Sequence, residues 1–168
     1  MPRRPILRFP HPLLSVPASP VVQFGTELAA LASDLFDTMR AAPGIGITAP
    51  HVGVLQRLTV IELDAQSGAR IYVNPEITGS SAETVSHAEG SVSMPGISED
   101  VIRPSQVRVR YQTLLGEVKE DQADGLLSIC LQHEIDQLDG IFWLQRLSRL
   151  KRDRAIKRFA KQEKAADS

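Results

Sequence analysis

From Asp121 to Leu138 the chain takes up a helical period that leaves two adjoining faces apolar. Leu126, Cys130, His133 and Gln137 fall on one face, and Leu127, Leu131, Glu134 and Leu138 on the next. A helix with so broad an apolar surface belongs at the centre of a fold, with a sheet packed on it. Gly140 stops it, and Ile141, Phe142 and Trp143 follow as further buried residues.

The other elements arrange themselves around that helix. Leu28, Leu31, Leu35 and Met39 mark one side of a second helix, capped by Thr26 and ending near Arg40. Thr59–Leu63 and Ile71–Val73 read as strands joined by the turn 64–68. Val107, Val109 and Tyr111 alternate with Arg108, Arg110 and Gln112, the period of a half-exposed strand, and Gly116-Glu117-Val118 leads towards a turn. Residues 78–105, rich in Ser, Gly, Pro and Glu, predict a long ordered loop or short strands. No strand–helix–strand repeat occurs, so the fold class is α+β with an antiparallel or mixed sheet. The 168 residues suit one domain, 1–168, with no repeat or linker dividing it.

The two ends differ in character. Residues 1–20 hold six prolines (Pro2, Pro5, Pro10, Pro12, Pro17 and Pro20), which forbid a continuous helix and predict an extended surface arm anchored by Ile6-Leu7 and Leu13-Leu14. The net charge is -1, but residues 146–168 carry nine Lys/Arg against three acids. Leu147, Leu150, Ile156 and Phe159 punctuate that run, which predicts a basic C-terminal helix with one apolar stripe. Such a face solubilises, or attracts an acidic surface without reading a nucleic-acid sequence. Prolines and His11 interrupt the start, and no run of 18 apolar residues follows, so a cytoplasmic protein without a membrane partner is expected. The single cysteine, Cys130, excludes an internal disulfide framework and a Cys-cluster metal site, and is read as a small hydrophobe.

Three short segments carry chemistry. In Gly44-Ile45-Gly46-Ile47-Thr48-Ala49-Pro50-His51-Val52-Gly53, the glycines let backbone approach a ligand, although taken alone the segment reads first as a tight turn. Glu89-Gly90-Ser91-Val92-Ser93-Met94-Pro95-Gly96 is by composition only a loop. Gln132-His133-Glu134-Ile135-Asp136-Gln137-Leu138-Asp139-Gly140 nearly spells H-E-x-x-H, in which histidines at i and i+4 hold a metal and the glutamate activates water. Here Gln137 stands at the second histidine. Taken alone, the His133-Glu134 pair reads first as a structural feature of an apolar helix.

In this order and at these separations the three segments resemble the signature motifs of the peptide deformylase family. The likeness extends through Ile6-Leu7, Pro10-His11-Pro12, Arg103-Pro104 and Arg146-Leu147-Ser148. The resemblance implies an α+β fold with a metal-bearing helix against antiparallel strands. It implies metal-dependent removal of the formyl group from N-terminal methionine, commonly with iron or zinc. By the same likeness Glu134 is the general base and acid, His133 a metal ligand, and Gly46 part of the ligand-facing turn. Ser91 stands where relatives have a cysteine ligand, Gln137 where they have a second histidine, and His51 where a glutamine donates to the oxyanion.

A hydroxyl and an amide in place of a thiolate and an imidazole remove most of a binding free energy that reaches ~10 kcal/mol in structural zinc sites. The expectation is therefore a deformylase-like member without ordinary deformylase activity, keeping a peptide-binding or regulatory role. Ser91, His133 and Gln137 would then form a polar cluster, with no cofactor. The alternative is an active metallohydrolase, a deformylase or related amidase, with a rebuilt site of His51, His133 and Glu134 and a weakly bound Fe, Zn or Ni ion. A serine route, Ser91 as nucleophile and His133 as base, lacks an evident third residue to orient the imidazole. Expected partners are the N-terminal end of a peptide in the cleft and, because some bacterial members use a C-terminal helix in this way, the ribosome or another acidic surface.

Overall fold

A computed structural model describes residues 3–167; Met1, Pro2 of the arm and Ser168 of the basic segment lie outside the described residues. Three α-helices and seven strands follow the arm: α1 (Thr26–Ala41), β1 (Gly46–Thr48), β2 (Leu58–Ile61), β3 (Arg70–Ser80), β4 (Thr84–Ser91), β5 (Met94–Pro104), β6 (Val107–Gln112), β7 (Val118–Ala123), α2 (Gly125–Leu138) and α3 (Arg149–Ala166). Five strands form one sheet in the order β1-β2-β3-β6-β7, and β4 and β5 form a separate hairpin. Every named pair is antiparallel. The architecture is α+β, as expected.

Apolar pattern decides what each element covers. Leu28, Leu31, Leu35 and Met39 are all buried and pack with Ile47, Leu58, Val60 and Val73 of the sheet. On α2, Ile129, Cys130, Leu131, Ile135 and Leu138 are buried, and the helix packs against β1, β2 and β3 of the sheet and against β5 of the hairpin. Polar Gln132, Glu134, Asp136 and Gln137 are buried with them. A third cluster joins Leu14 of the arm, Met94, Ile97 and Val101 of β5, Phe142 and Trp143, and Ala155 and Phe159 of α3. The helix bearing His133 and Glu134 therefore lies between a sheet and a hairpin.

Several elements differ from the sequence expectation, each for a local reason. The span 78–105 is mostly long strand, because β4 and β5 pair from Thr84↔Pro104 to Ser91↔Met94 and cross-strand bonds override a loop-like composition. Residues 121–123 belong to β7, paired as Val109↔Asp121 and Val107↔Ala123, so α2 starts at Gly125 behind Asp124. Gly25, not Thr26, occupies the N-cap of α1. The arm includes a short 3-10 turn, Pro12–Ser15, that buries Leu14.

The basic segment starts at the last residue of a 3-10 turn, Trp143–Arg146, and becomes helix only at Arg149, where Ser148 Oγ accepts from Lys151 N–H at 3.3 Å. Leu150 is 73% exposed and lies off the apolar stripe. Part of the helix's positive charge is used within the fold. Arg154 pairs with Glu99 at 3.2 Å, and Arg158 donates to Ser98 O at 3.1 Å. No helix among the described residues is long and apolar enough to cross a membrane.

The arm is fastened to the end of α2. Ala18 N–H donates to Leu138 O at 2.8 Å, and Gly140 adopts φ 80 beneath the passing chain. A Cβ on Gly140 would lie 2.9–3.0 Å from Pro17 N, Ser15 O and Val16 C, all backbone atoms. Gly140→Ala should therefore cost more than ~1 kcal/mol, through both strain and clash. Urea unfolding of the variant beside wild type checks this, and an unchanged midpoint would contradict the packing.

Candidate active site

A cavity of about 500 Å³ opens between the 42–46 turn, the hairpin and α2. Gly46, His51, Glu89, Ser91, His133 and Glu134 all line it, so the three sequence segments meet in one place. Gln137 does not. Its Nε2 donates to Leu14 O at 2.8 Å and is buried against the arm. The polar cluster expected of Ser91, His133 and Gln137 is thus replaced by three separate contacts. Ser91 Oγ accepts from Ser93 N–H at 3.1 Å, and His133 Nδ1 lies 2.9 Å from Glu89 Oε1.

Gly46 matters because of what it omits: a Cβ there would collide with the Glu134 carboxylate. Glu134 fills that space, and its Oε1 is buried with no hydrogen-bond partner. Burial drives its pKa up to about 7; His133 and Arg103 oppose the shift and Glu89 adds to it. A proton acceptor tuned near neutrality suits general base or acid work.

His51 has its tautomer set by the turn that carries it. Thr48 N–H donates to His51 Nδ1 at 2.9 Å, and Thr48 Oγ1 lies 2.9 Å from the same nitrogen. The neutral ring must then carry its proton on Nε2. Burial, and then the charge of His133, pushes the pKa down to about 3, so the ring stays neutral. Nε2 is buried without a partner. It offers the cavity one N–H donor, where a glutamine amide would offer two donors and an acceptor.

Beneath the cavity lies a buried ion network. Arg103 binds Glu89 at 2.5 and 2.9 Å and Asp136 at 2.9 Å. Arg146 grips Asp136 from the far side at 2.8 and 2.9 Å. Burial alone would raise the Glu89 pKa, but hydrogen bonds from His133 and Arg103 reverse it, bringing it down to about 2. Burial lowers the His133 pKa; the charge of Glu134 and the Glu89 hydrogen bond outweigh it and raise it. Glu89 is thus the group that orients His133, which the sequence reading left without one. Its place in the second motif, two residues before Ser91, was the available signal.

The donor set does not match a resident metal. Among the described residues no three His, Cys, Asp or Glu side chains converge to hold an ion, and His51, His133 and Glu134 form no such group. Ser91 contributes a neutral hydroxyl, and the Gln137 amide is turned to Leu14.

Comparison with known proteins matches this architecture. The family described as "Polypeptide deformylase" matches residues 3–153. The chain belongs to that family. It is 63% identical over 162 residues to a "Peptide deformylase-like" protein of Rhizobium meliloti (strain 1021), covering 96% of this chain and 94% of the relative. It is 44% identical to a "Peptide deformylase" of Phenylobacterium zucineum (strain HLK1), covering 97% and 98%. The crystal structure of a peptide deformylase from Legionella pneumophila superposes with a TM-score of 0.92 at 37% identity, covering 98% of each chain. The peptide deformylase of Synechococcus elongatus, solved in complex with actinonin, superposes at 0.90 with 34% identity, covering 94% of this chain and 88% of that one. The fold and family expectations are met.

Two outcomes follow for a family member built this way. Replacing Arg103 by methionine leaves Glu89 and Asp136 as buried carboxylates short of a partner and should cost ~3–5 kcal/mol in denaturant unfolding. Glu134 makes stability depend on pH. Its folded pKa is raised, so the stability tied to its proton is full below the ordinary 4.5 and is lost as pH rises through about 7. Wild type should therefore lose up to ~3 kcal/mol relative to Glu134→Gln between about pH 5 and 8. A difference constant across that window would contradict the assignment.

Proposed function

We propose that this chain holds the amino-terminal end of a peptide in the deformylase cleft, as a binding or regulatory member of the family rather than a Cys-His-His metal hydrolase. The observation that carries this reading is Gln137. At the second histidine position implied by the family likeness it ties α2 to the arm through Leu14 O and leaves the cavity. Ser91 adds only a hydroxyl, a weak ligand for borderline ions beside a thiolate. What supports peptide binding is the cleft itself. β1 is an edge strand of the sheet, and Gly46 of that strand and Gly90 of the hairpin both line the cavity, where an extended chain can add its backbone hydrogen bonds. The exposed Lys157, Lys161 and Lys164 of α3 remain the proposed contact for a ribosomal or other acidic surface, in a cytoplasmic setting.

A specific observation favours a second reading, an amide hydrolase of deformylase type. Glu134 Oε1 and His51 Nε2 are both buried, both unpartnered and both part of the same cavity. Glu134 would take a proton from attacking water while His51 Nε2–H donates to the oxygen that gains charge. The comparisons lean this way, since the relatives and structures named above bear the deformylase name or a likeness to it. The donor chemistry leans the other way.

Metal content and formate release from a formyl-methionyl peptide separate the two. The expected result is substoichiometric metal and no release above a protein-free control. Ser91→Cys with Gln137→His should bind metal far better than either single variant, because ligands act as a unit. Gln137→His alone should destabilise the fold by ~1 kcal/mol or more, having lost the Leu14 hydrogen bond. Formate release by wild type that Glu134→Gln abolishes would establish the hydrolase instead.

A further inference from the structure

We infer that Gln162 and Glu163, near the end of α3, are positioning residues for the cleft. Through Pro95 and Arg8 they fix segments of its lining, so that peptide affinity depends on contacts made outside the cavity. This rests on the peptide-binding reading above and names where that binding is controlled.

The cavity is lined by segments that share no ladder. Gly46 belongs to the five-stranded sheet and His51 to the turn after it, whereas Pro95, Gly96 and Ile97 belong to β5 of the hairpin. The arm joins the two. Leu7 N–H donates to His51 O at 2.8 Å, and Phe9 N–H donates to Ser93 O at 2.9 Å, just before β5. Arg8, between them, is clasped by α3. Its Nε donates to Glu163 Oε2 at 3.0 Å, its Nη2 donates to the other oxygen of that carboxylate, and its guanidinium lies 5.6 Å from the centroid of the Phe159 ring.

Gln162, the neighbouring residue, reaches the hairpin directly. Its Nε2 donates to Pro95 O at 2.7 Å. The approach requires glycine at position 96, which adopts φ 83; a Cβ there would lie 2.7–3.2 Å from the Gln162 amide group. Ile97 belongs both to the cavity lining and to the apolar cluster that contains Ala155 and Phe159 of α3. The last turns of α3 thus hold the arm and the 95–97 part of the lining together. Neither polar contact contributes much to stability, because both are exposed to water and salt. What they determine is where two backbone segments stand.

Calorimetric titration of the full chain with Met-Ala-Leu amide and with its N-formyl form, beside urea unfolding, tests this. Gln162→Ala and Glu163→Ala should each weaken peptide binding about fivefold while the unfolding midpoint stays near wild type. Arg154→Ala is the control. It removes another exposed contact between α3 and β5, to Glu99, which is not among the described residues lining the cavity, and it should leave affinity unchanged. Cys130, the single thiol of the chain and part of the lining, gives a readout that needs no peptide. Its alkylation by iodoacetamide should be several times faster in Gln162→Ala and Glu163→Ala, and unchanged in Arg154→Ala. A variant that keeps the wild-type affinity or the wild-type alkylation rate overturns that residue's role and leaves the peptide-binding reading intact. An equal change in Arg154→Ala also overturns it, since α3 would then only have been loosened. If neither peptide binds wild type, the peptide-binding reading fails and the alkylation rates alone decide whether α3 positions the lining. Should Gln162→Ala not fold, Gln162→Glu, which keeps the side chain's length and loses the donor, takes its place.

Discussion

The Arg103 guanidinium is the contact on which the rest of the site depends. It holds Glu89 of the hairpin and Asp136 of α2 in one buried network, and Arg146 closes Asp136 from the turn beyond α2. The hairpin and the five-stranded sheet share no ladder, so side chains must fix how β4 stands relative to α2. Through Glu89 the same network reaches His133 and sets which nitrogen faces the cavity. Buried ion pairs rarely add much stability over well-packed apolar residues, but they do specify geometry. Here the geometry they specify is a cleft.

Much of the fold was legible in the sequence, and the exceptions share a cause. Helical stripes such as Leu28, Leu31, Leu35 and Met39 announce themselves locally, because one face buries and the other does not. The alternation at Val107 and Val109 did the same for β6. The hairpin did not, because β4 exposes most of its length and its order comes from pairing with β5, not from a periodic apolar face. The β7–α2 boundary was hidden for a related reason. Asp121 to Ala123 are held by partners on β6 that sequence spacing cannot supply.

The site divides along the same line. That Gly46, His51, Ser91, His133 and Glu134 gather in one cavity followed from three ordered motifs. Where each polar atom points did not, since orientation is set by neighbours distant in sequence. Gln137 finds Leu14 across 123 positions, and His133 finds Glu89 across 44. His51 is the local exception. Thr48, three residues earlier, caps the turn and fixes the ring's proton on the nitrogen that faces the cleft. A spacing of three within a Pro-containing turn is readable, once histidine is considered as a donor rather than a ligand.

Glu134 bears on whether this cavity is a relic or a working site. A carboxyl group buried in a helix with one oxygen left without a hydrogen bond is costly, and apolar side chains of similar volume are stable in such places. Gly46 compounds the cost, since it gives up a side chain at a sheet edge to leave room for that carboxylate. Gln137 shows the opposite outcome on the same helix, with its amide fully engaged in holding the arm. One helix thus presents a position tied into the fold and another left open at a cost to stability. Local departures from the most stable choice are the mark of a site that meets a ligand. Gly46 makes room for the Glu134 carboxyl group, and His51 Nε2, also without a hydrogen-bond partner, belongs to the same cavity.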